Sequence, residues 1–334
     1  MSDDDCDVLI VGAGPAGLAA AIAIKREGLS ALILDKGGLV DGIYRFPRNM
    51  VFFTTPELLE IGGLPFVTPF EKPTRMEALR YYRRVADTFG LPIAFDEAVV
   101  GVRREAGAAG LSFVLEVKTR SWGARARRAR AVVIATGYYD QPNLLGVPGE
   151  DLPHVSHYFL EGHRHWHQDV IVVGAGNSAV DAALECWRAG ARVTLVHIAE
   201  GFDRTVKPWV LPDITNRVKE GSIGAHWNSR IVAIHPDRVE VEQIESGKRT
   251  TIAADQVLAM TGYYASTDLI SSLGVSVDPA TGVPAHDPET MMSPVTGCYI
   301  AGVMAAGRDA NRLFIENTRQ HGEVIVGDIG RRRS

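Results

Sequence analysis

The residues that could do chemistry in this chain are sparse, and their spacing excludes several chemistries at once. The three cysteines, Cys6, Cys186 and Cys298, lie more than a hundred residues apart. No Cys-x-x-Cys redox pair or zinc knuckle can be read from them, and inert or buried thiols are expected. Five histidines, His154, His157, His163, His165 and His167, crowd one connector. No helical pair with an intervening acid occurs among them, so exposed or interface histidines are expected and no metal site is predicted. What remains is a glycine-rich turn written twice, "VLIVGAGPAGLAAAIA" at residues 8–23 and "VIVVGAGNSAVDAALE" at residues 170–185. A strand that ends in G-x-G-x-x-G/A and opens a helix aims backbone N–H groups and the positive end of the helix dipole at a pyrophosphate. Two such turns predict two dinucleotides, one at Gly12, Gly14 and Gly17, the other at Gly174, Gly176 and Ala179.

The copies differ where nucleotides are told apart. An acid at the end of the second strand accepts hydrogen bonds from an adenosine ribose diol and repels a 2′-phosphate. The first copy has Asp35 there and the second has His197, followed by Arg204 and Lys207. The first site is therefore expected to take a dinucleotide with a free diol. The second is expected to take NADPH, its 2′-phosphate paired with Arg204 and Lys207.

The elements that must position these turns follow from the pattern. A shift from Gly12 to Gly174, 162 residues, aligns the two stretches without a gap and also pairs Gly28 with Gly190. In each copy a β-branched run meets the glycines, an alanine-rich helix follows, and a second strand begins after a helix-ending glycine. A shorter echo, "VVIATGYYDQP" and "QVLAMTGYYAST", closes each region. The expected fold is α/β, with two Rossmann-like, three-layer dinucleotide-binding domains. Residues 1–148 begin the first domain and carry a long insertion (residues 38–95); residues 149–263 form the inserted second domain, and residues 264–334 return to the first.

Composition agrees: 334 residues with 46% hydrophobic content and a net charge of −5 describe a globular chain without the basic field that holds nucleic acid or an anionic membrane. The basic tail Arg331 to Arg333 is expected to be a solvated terminus, and the glycine-interrupted run Val8 to Ile24 falls short of a membrane span. The acidic opening Met-Ser-Asp-Asp-Asp does not resemble a secretory or transit peptide, and a cytoplasmic protein is expected.

The turn alone does not separate FAD from NAD at the first site. Through "VGAGPAGLAAA", "VIATGYYDQPNLLGVPGED", "VVGAGNSAVDAAL" and "YIAGVMAAG", the chain resembles the low-molecular-weight thioredoxin reductases. Through "GIYRFPRNMVFFTTPELLEIGGLPF", "VKPWVLPDITNRVKEGSI" and "LFIENTRQHG" it resembles, more closely, the bacillithiol disulfide reductases. That resemblance implies FAD in the discontinuous domain and NADPH in the inserted one, a homodimer or homotetramer, and reduction of a low-molecular-weight disulfide. It implies that Gly12, Gly14, Pro15, Ala16 and Gly17 hold the FAD pyrophosphate, with Asp35 and Lys36 at the adenosine end. Tyr44, Phe52, Thr136, Gly137, Gly302 and Val303 would lie along the rest of the flavin, and Gly174, Gly176, Asn177, Ser178 and Ala179 would hold NADPH. Two positions depart from the pattern: Ala16 stands where relatives often carry a cysteine, and Val303 where thioredoxin reductases carry an aspartate. No catalytic side chain is assigned. A dithiol-free ferredoxin or flavodoxin reductase, a flavin monooxygenase and a redox or nicotinamide sensor stay open as alternatives. For the monooxygenase, Phe159 and Gly162 are one residue too far apart to fit F-x-G-x-x-x-H.

Overall fold

The computed structural model describes residues 5–107, 110–120, 123–309 and 312–333; most of the acidic opening and the side chain of Arg333 lie outside the described residues. The chain forms two compact units, residues 1–45, 51–141 and 263–334 in the first and residues 46–50 and 142–262 in the second.

In the first unit the chain runs through β1 (Asp5–Val11), β2 (Ala31–Leu34), β3 (Ile93–Ala94), β4 (Glu97–Gly107), β5 (Gly110–Thr119) and β6 (Gly123–Ile134). The helix Pro15–Arg26 joins β1 to β2, and the helix Arg75–Phe89 lies in the insertion. The second unit supplies β7 (Val155–Ser156), β8 (Asp169–Val173), β9 (Arg192–Val196), β10 (Gly224–His226), β11 (Ser229–His235), β12 (Arg238–Gln243), β13 (Arg249–Ala253) and β14 (Gln256–Ala259). The chain then returns to the first unit with β15 (Cys298–Ile300) and the helix His321–Arg333.

The first sheet has the order β3-β2-β1-β6-β5-β4, with β15 also paired to β6. Strand β6 is long enough to serve two partners: residues 123–129 pair antiparallel with β5, and residues 128–134 pair parallel with β1. The parallel strands are apolar on both faces, as expected where helices cover them. Leu9, Val11, Leu34, Val132, Ile134 and Ile300 pack in one core with Phe113 and Leu115 of the meander. The second unit repeats the plan, with parallel order β10-β9-β8-β14-β7 and an antiparallel meander β11-β12-β13.

The helix Pro15–Arg26 is built of small residues, and Gly17 through Ile24 are all buried. Small side chains let another backbone come close. A Cβ on Gly322 would lie 2.7 Å from Ala20 Cα, so the C-terminal helix rests directly on the first. Arg331 and Arg332 of the basic tail are exposed as expected, and both also pair with Asp328. Tyr299, on β15, donates to Asp328 Oδ2 at 2.9 Å, and Arg332 Nε donates to the same oxygen at 2.6 Å. Burial pushes the Asp328 carboxyl up, but Arg332, Tyr299 and Arg331 outweigh it and hold it below the usual range. A carboxyl held low stabilises the fold above its unfolded pKa and loses that contribution as pH falls through its folded value. Asp328→Asn should therefore lower stability by about 2 kcal/mol at pH 7. In thermal melts the gap from the wild type should close in strong acid; a gap independent of pH would contradict this.

Candidate dinucleotide-binding sites

The first turn is set by close contacts that only glycine allows. Gly12 has φ +114°, and a Cβ there would stand 2.3 Å from the Ala135 carbonyl oxygen at the end of β6. A Cβ on Gly17 would stand 2.0 Å from the Gly12 carbonyl oxygen, which fixes the helix against the turn. Gly14, by contrast, has nothing within 4 Å of a Cβ position, caps the helix without a side-chain partner, and is followed by Pro15 and no acid in the first turn. Open ground before a helix N-terminus free of acids fits a pyrophosphate. Asp35 faces the same turn: Oδ2 accepts from Ala13 N–H at 2.6 Å and Oδ1 from Gly37 N–H at 2.8 Å. Burial pushes its carboxyl up, the Ala13 and Gly37 amides oppose that, and Asp41 and Asp140 add to the rise.

The other residues expected at the flavin belong to the same unit as this turn. Gly302, with φ +76°, opens a 3₁₀ turn that includes Val303, and a Cβ on it would meet Ala16 Cβ at 2.9 Å. The C-terminal motif and the first helix therefore meet. Gly137 has φ +72° with open space around it, and Thr136 Oγ1 lies 3.7 Å from Met304 Sδ. Tyr44 is exposed with its ring 5.4 Å from the Arg75 guanidinium, whereas Phe52 is buried and its amide donates to Pro73 O at 2.9 Å. Lys36 Nζ pairs with Asp140 Oδ2 at 2.8 Å, and Arg45 bridges Asp140 to Asp41.

Asp140 and Arg45 were not singled out in the sequence, because partners 95 residues apart leave no local signature. His321 was also missed, although it sits in the distinctive "LFIENTRQHG". Its Nδ1 accepts from Gly302 N–H at 3.2 Å, and burial, with His286 nearby, pulls the imidazole down to about 4.

The second turn repeats the first. Gly174 has φ +121° and a Cβ there would lie 2.5 Å from the Met260 carbonyl oxygen. Gly176 caps the helix Asn177–Arg188 with no side-chain partner and no acid in the first turn. Ala179 is buried against Gly174, and Ser178 is exposed. Two expectations change here. Lys207, expected to pair with a 2′-phosphate, is buried and its Nζ bonds Asp181 Oδ2 at 2.6 Å on that helix. Asn177, expected at the nucleotide, donates to Thr205 O at 2.8 Å and accepts from Lys207 N–H at 3.0 Å, so its amide holds the loop 202–207. Arg204 is exposed. His197 Nε2 is buried without a hydrogen-bond partner among the described residues, 3.8 Å from Asp203 Oδ1. Burial pulls its pKa down, and Asp203 opposes that.

Cys186 and Cys298 are fully buried, and burial raises the thiols of Cys6, Cys186 and Cys298 to about 11, 12 and 11. Of the histidine cluster, His165 is a core residue bonded to Gln168 Oε1 at 3.0 Å, which corrects its expected exposure, while His157 contacts Glu150 Oε1 at 3.2 Å. Among the described residues no group of three or more His, Cys, Asp or Glu is placed to hold a metal ion.

Two glycine turns of this geometry, each heading its own parallel sheet, define a protein that binds two dinucleotides. Residues 9–302 match the family model described as pyridine nucleotide-disulphide oxidoreductase, and the chain belongs to that family. It is 41% identical over 326 residues to bacilliredoxin reductase Bdr of Bacillus subtilis, covering 98% of each chain. It resembles the structure of bacillithiol disulfide reductase Bdr from Bacillus cereus with TM-score 0.94 and 39% identity, over 98% of this chain and 99% of that one. For the Staphylococcus aureus enzyme of the same description the values are 0.91 and 37%, over 99% and 100%. The protein is a flavin-dependent oxidoreductase that uses FAD and NADPH. No helix among the described residues is long and apolar enough to cross a membrane.

The turns can be separated by substitution. Gly174→Ala should leave a yellow protein with an unchanged flavin spectrum and weaken NADP⁺ binding at least about tenfold, measured by calorimetry; loss of the flavin as well would contradict independent sites. At His321 the folded pKa, about 4, lies below the unfolded value of 6.5, so the unfolded chain takes up a proton first as pH falls. Wild-type stability should drop by up to about 3 kcal/mol between pH 6.5 and pH 4 from this group. His321→Gln, whose Oε1 can still accept from Gly302, should flatten that part of the pH profile in denaturant titrations.

Proposed function

We propose that this chain reduces a low-molecular-weight disulfide, bacillithiol disulfide, at the expense of NADPH: one NADPH, one proton and one disulfide give NADP⁺ and two thiols. The observation that carries the substrate is likeness along the entire chain to the Bacillus cereus bacillithiol disulfide reductase. When bound, the nicotinamide supplies a hydride and the flavin stores an electron pair. The chain's own residues supply binding and orientation. Gly12, Gly14, Pro15, Ala16 and Gly17 would receive the FAD pyrophosphate, Asp35 the ribose diol, and Gly302 and Val303 the far end. Gly174, Gly176, Ser178 and Ala179 would receive the second nucleotide, with Asn177 and Lys207 holding the loop beside it.

No cysteine of this chain serves as a relay in this reading. Cys6 lies at the start of β1, roughly 20 Å of extended strand before Gly12, and Cys186 and Cys298 are core residues. The proposal extends to a cytoplasmic location, in keeping with three free cysteines, and to a homodimer or homotetramer. Because the Bacillus subtilis relative is named a bacilliredoxin reductase, a bacilliredoxin is the second acceptor to test.

Bacillithiol disulfide should accelerate NADPH oxidation well above the oxygen background. The combined variant Cys6→Ser, Cys186→Ala, Cys298→Ala should keep that rate within about twofold. No acceleration, or rapid reduction of ferredoxin or flavodoxin instead, would sink the assignment. Loss of turnover in a folded, flavin-loaded triple variant would restore a thiol to the mechanism.

A further inference from the structure

The two copies of the turn can be compared residue by residue, and the comparison exposes a carboxylate that the strand pattern hides. In the first copy the acid at the strand end, Asp35, is held by Ala13 N–H at 2.6 Å. The residue matching Ala13 in the second copy is Ala175, and the strand end carries His197. Ala175 still anchors an aspartate: its carbonyl accepts from Asp203 N–H at 3.1 Å. One carboxylate oxygen of Asp203 lies 3.0 Å from where a Gly176 Cβ would stand, and the other lies 3.8 Å from His197 Nε2. The loop is secured there by Asn177, which bonds both Thr205 and Lys207, and by Lys207, which bonds Asp181. A half-exposed carboxylate is thus fixed between the glycine turn and the residue equivalent to Asp35.

We propose that Asp203 replaces the missing strand-end acid, so that the second site accepts NADH as well as NADPH. The carboxylate accepts hydrogen bonds from a free ribose diol and works against a 2′-phosphate. Arg204 does the opposite: it is exposed on the same loop and adds a positive charge for the phosphate. His197 Nε2, buried and without a hydrogen-bond partner among the described residues, stands behind the carboxylate and out of the phosphate's reach. Aspartate and arginine on one loop therefore offer each nucleotide its own partner. Lys207, expected with Arg204 to pair with the phosphate, contributes little to the choice because Asp181 holds it.

This inference rests on the second turn as a nicotinamide-nucleotide site and not on the identity of the disulfide, so it is tested without an electron acceptor. Flavin-loaded protein is titrated calorimetrically with NAD⁺ and with NADP⁺. The wild type should bind the two within about tenfold of one another, a spread that one hydrogen-bonded carboxylate can offset. Asp203→Asn should weaken NAD⁺ about fivefold and tighten NADP⁺ about threefold, and the NADP⁺ gain should shrink in high salt as screening removes the repulsion. Arg204→Ala should weaken NADP⁺ alone. Opposite movement of the two affinities is the decisive result, because a disturbed loop would weaken both. Wild-type binding of NAD⁺ more than about a hundredfold weaker than NADP⁺ would overturn the proposal, as would an Asp203→Asn variant in which both affinities stay constant or fall together.

Discussion

The constraint on which the molecule depends is the crossing of three backbone segments at the first glycine of each turn. At Gly12 the space a side chain would fill belongs to the Ala135 carbonyl, and at Gly17 it belongs to the Gly12 carbonyl. The helix that begins at Pro15 therefore starts in contact with the end of the sheet, with its first amides directed outward. The same crossing occurs at Gly174, where Met260 takes the part of Ala135. Both carbonyls come from the residue just before a Thr-Gly-Tyr-Tyr stretch, which gives a physical reason for the shorter echo in the sequence. Each Thr-Gly turn ends the strand that closes the crossing, so it repeats wherever the glycine turn repeats.

Close approach at the turn propagates outward. A helix pressed against the sheet at its first turn buries small residues along its length, from Gly17 to Ile24, and leaves a shallow surface for another helix. The C-terminal helix uses it, with Gly322 against Ala20, and is fastened from behind by Tyr299 and Asp328. His321, at the start of that helix, then reaches the amide of Gly302. His321 and Gly322 thereby join the surroundings of the first turn, which begins more than 300 residues earlier in the chain.

What could be read from the sequence was what depends on local backbone geometry. Glycines at fixed spacing, strand–turn–helix periodicity and the strand-end acid all lie within one βαβ unit, and Asp35 meets its turn as expected. What could not be read was where loops bring charge. Lys207 looked available as a cation, but Asp181 one helical turn into Asn177–Arg188 captures it. Asp203 was not singled out in the sequence; its amide bond to Ala175 and its carboxylate beside Gly176 show that it returns to the turn. His165 was read with its exposed neighbours because five histidines share a connector; the short 3₁₀ turn His163–His165 rotates that one inward. In each case the deciding contact spans at least three residues of irregular backbone, where periodicity gives no direction.

The thiols decide how the two halves of the chemistry divide. A cysteine relay requires a low pKa and access to the acceptor. Burial instead pushes the thiols of Cys6 and Cys298 up to about 11 and that of Cys186 up to about 12, away from the thiolate. Ala16, at the one position beside Gly302 where a relative would carry sulfur, has none. On the proposed reading the chain's own residues hold the two nucleotides, and the sulfur exchanged during turnover belongs to the acceptor.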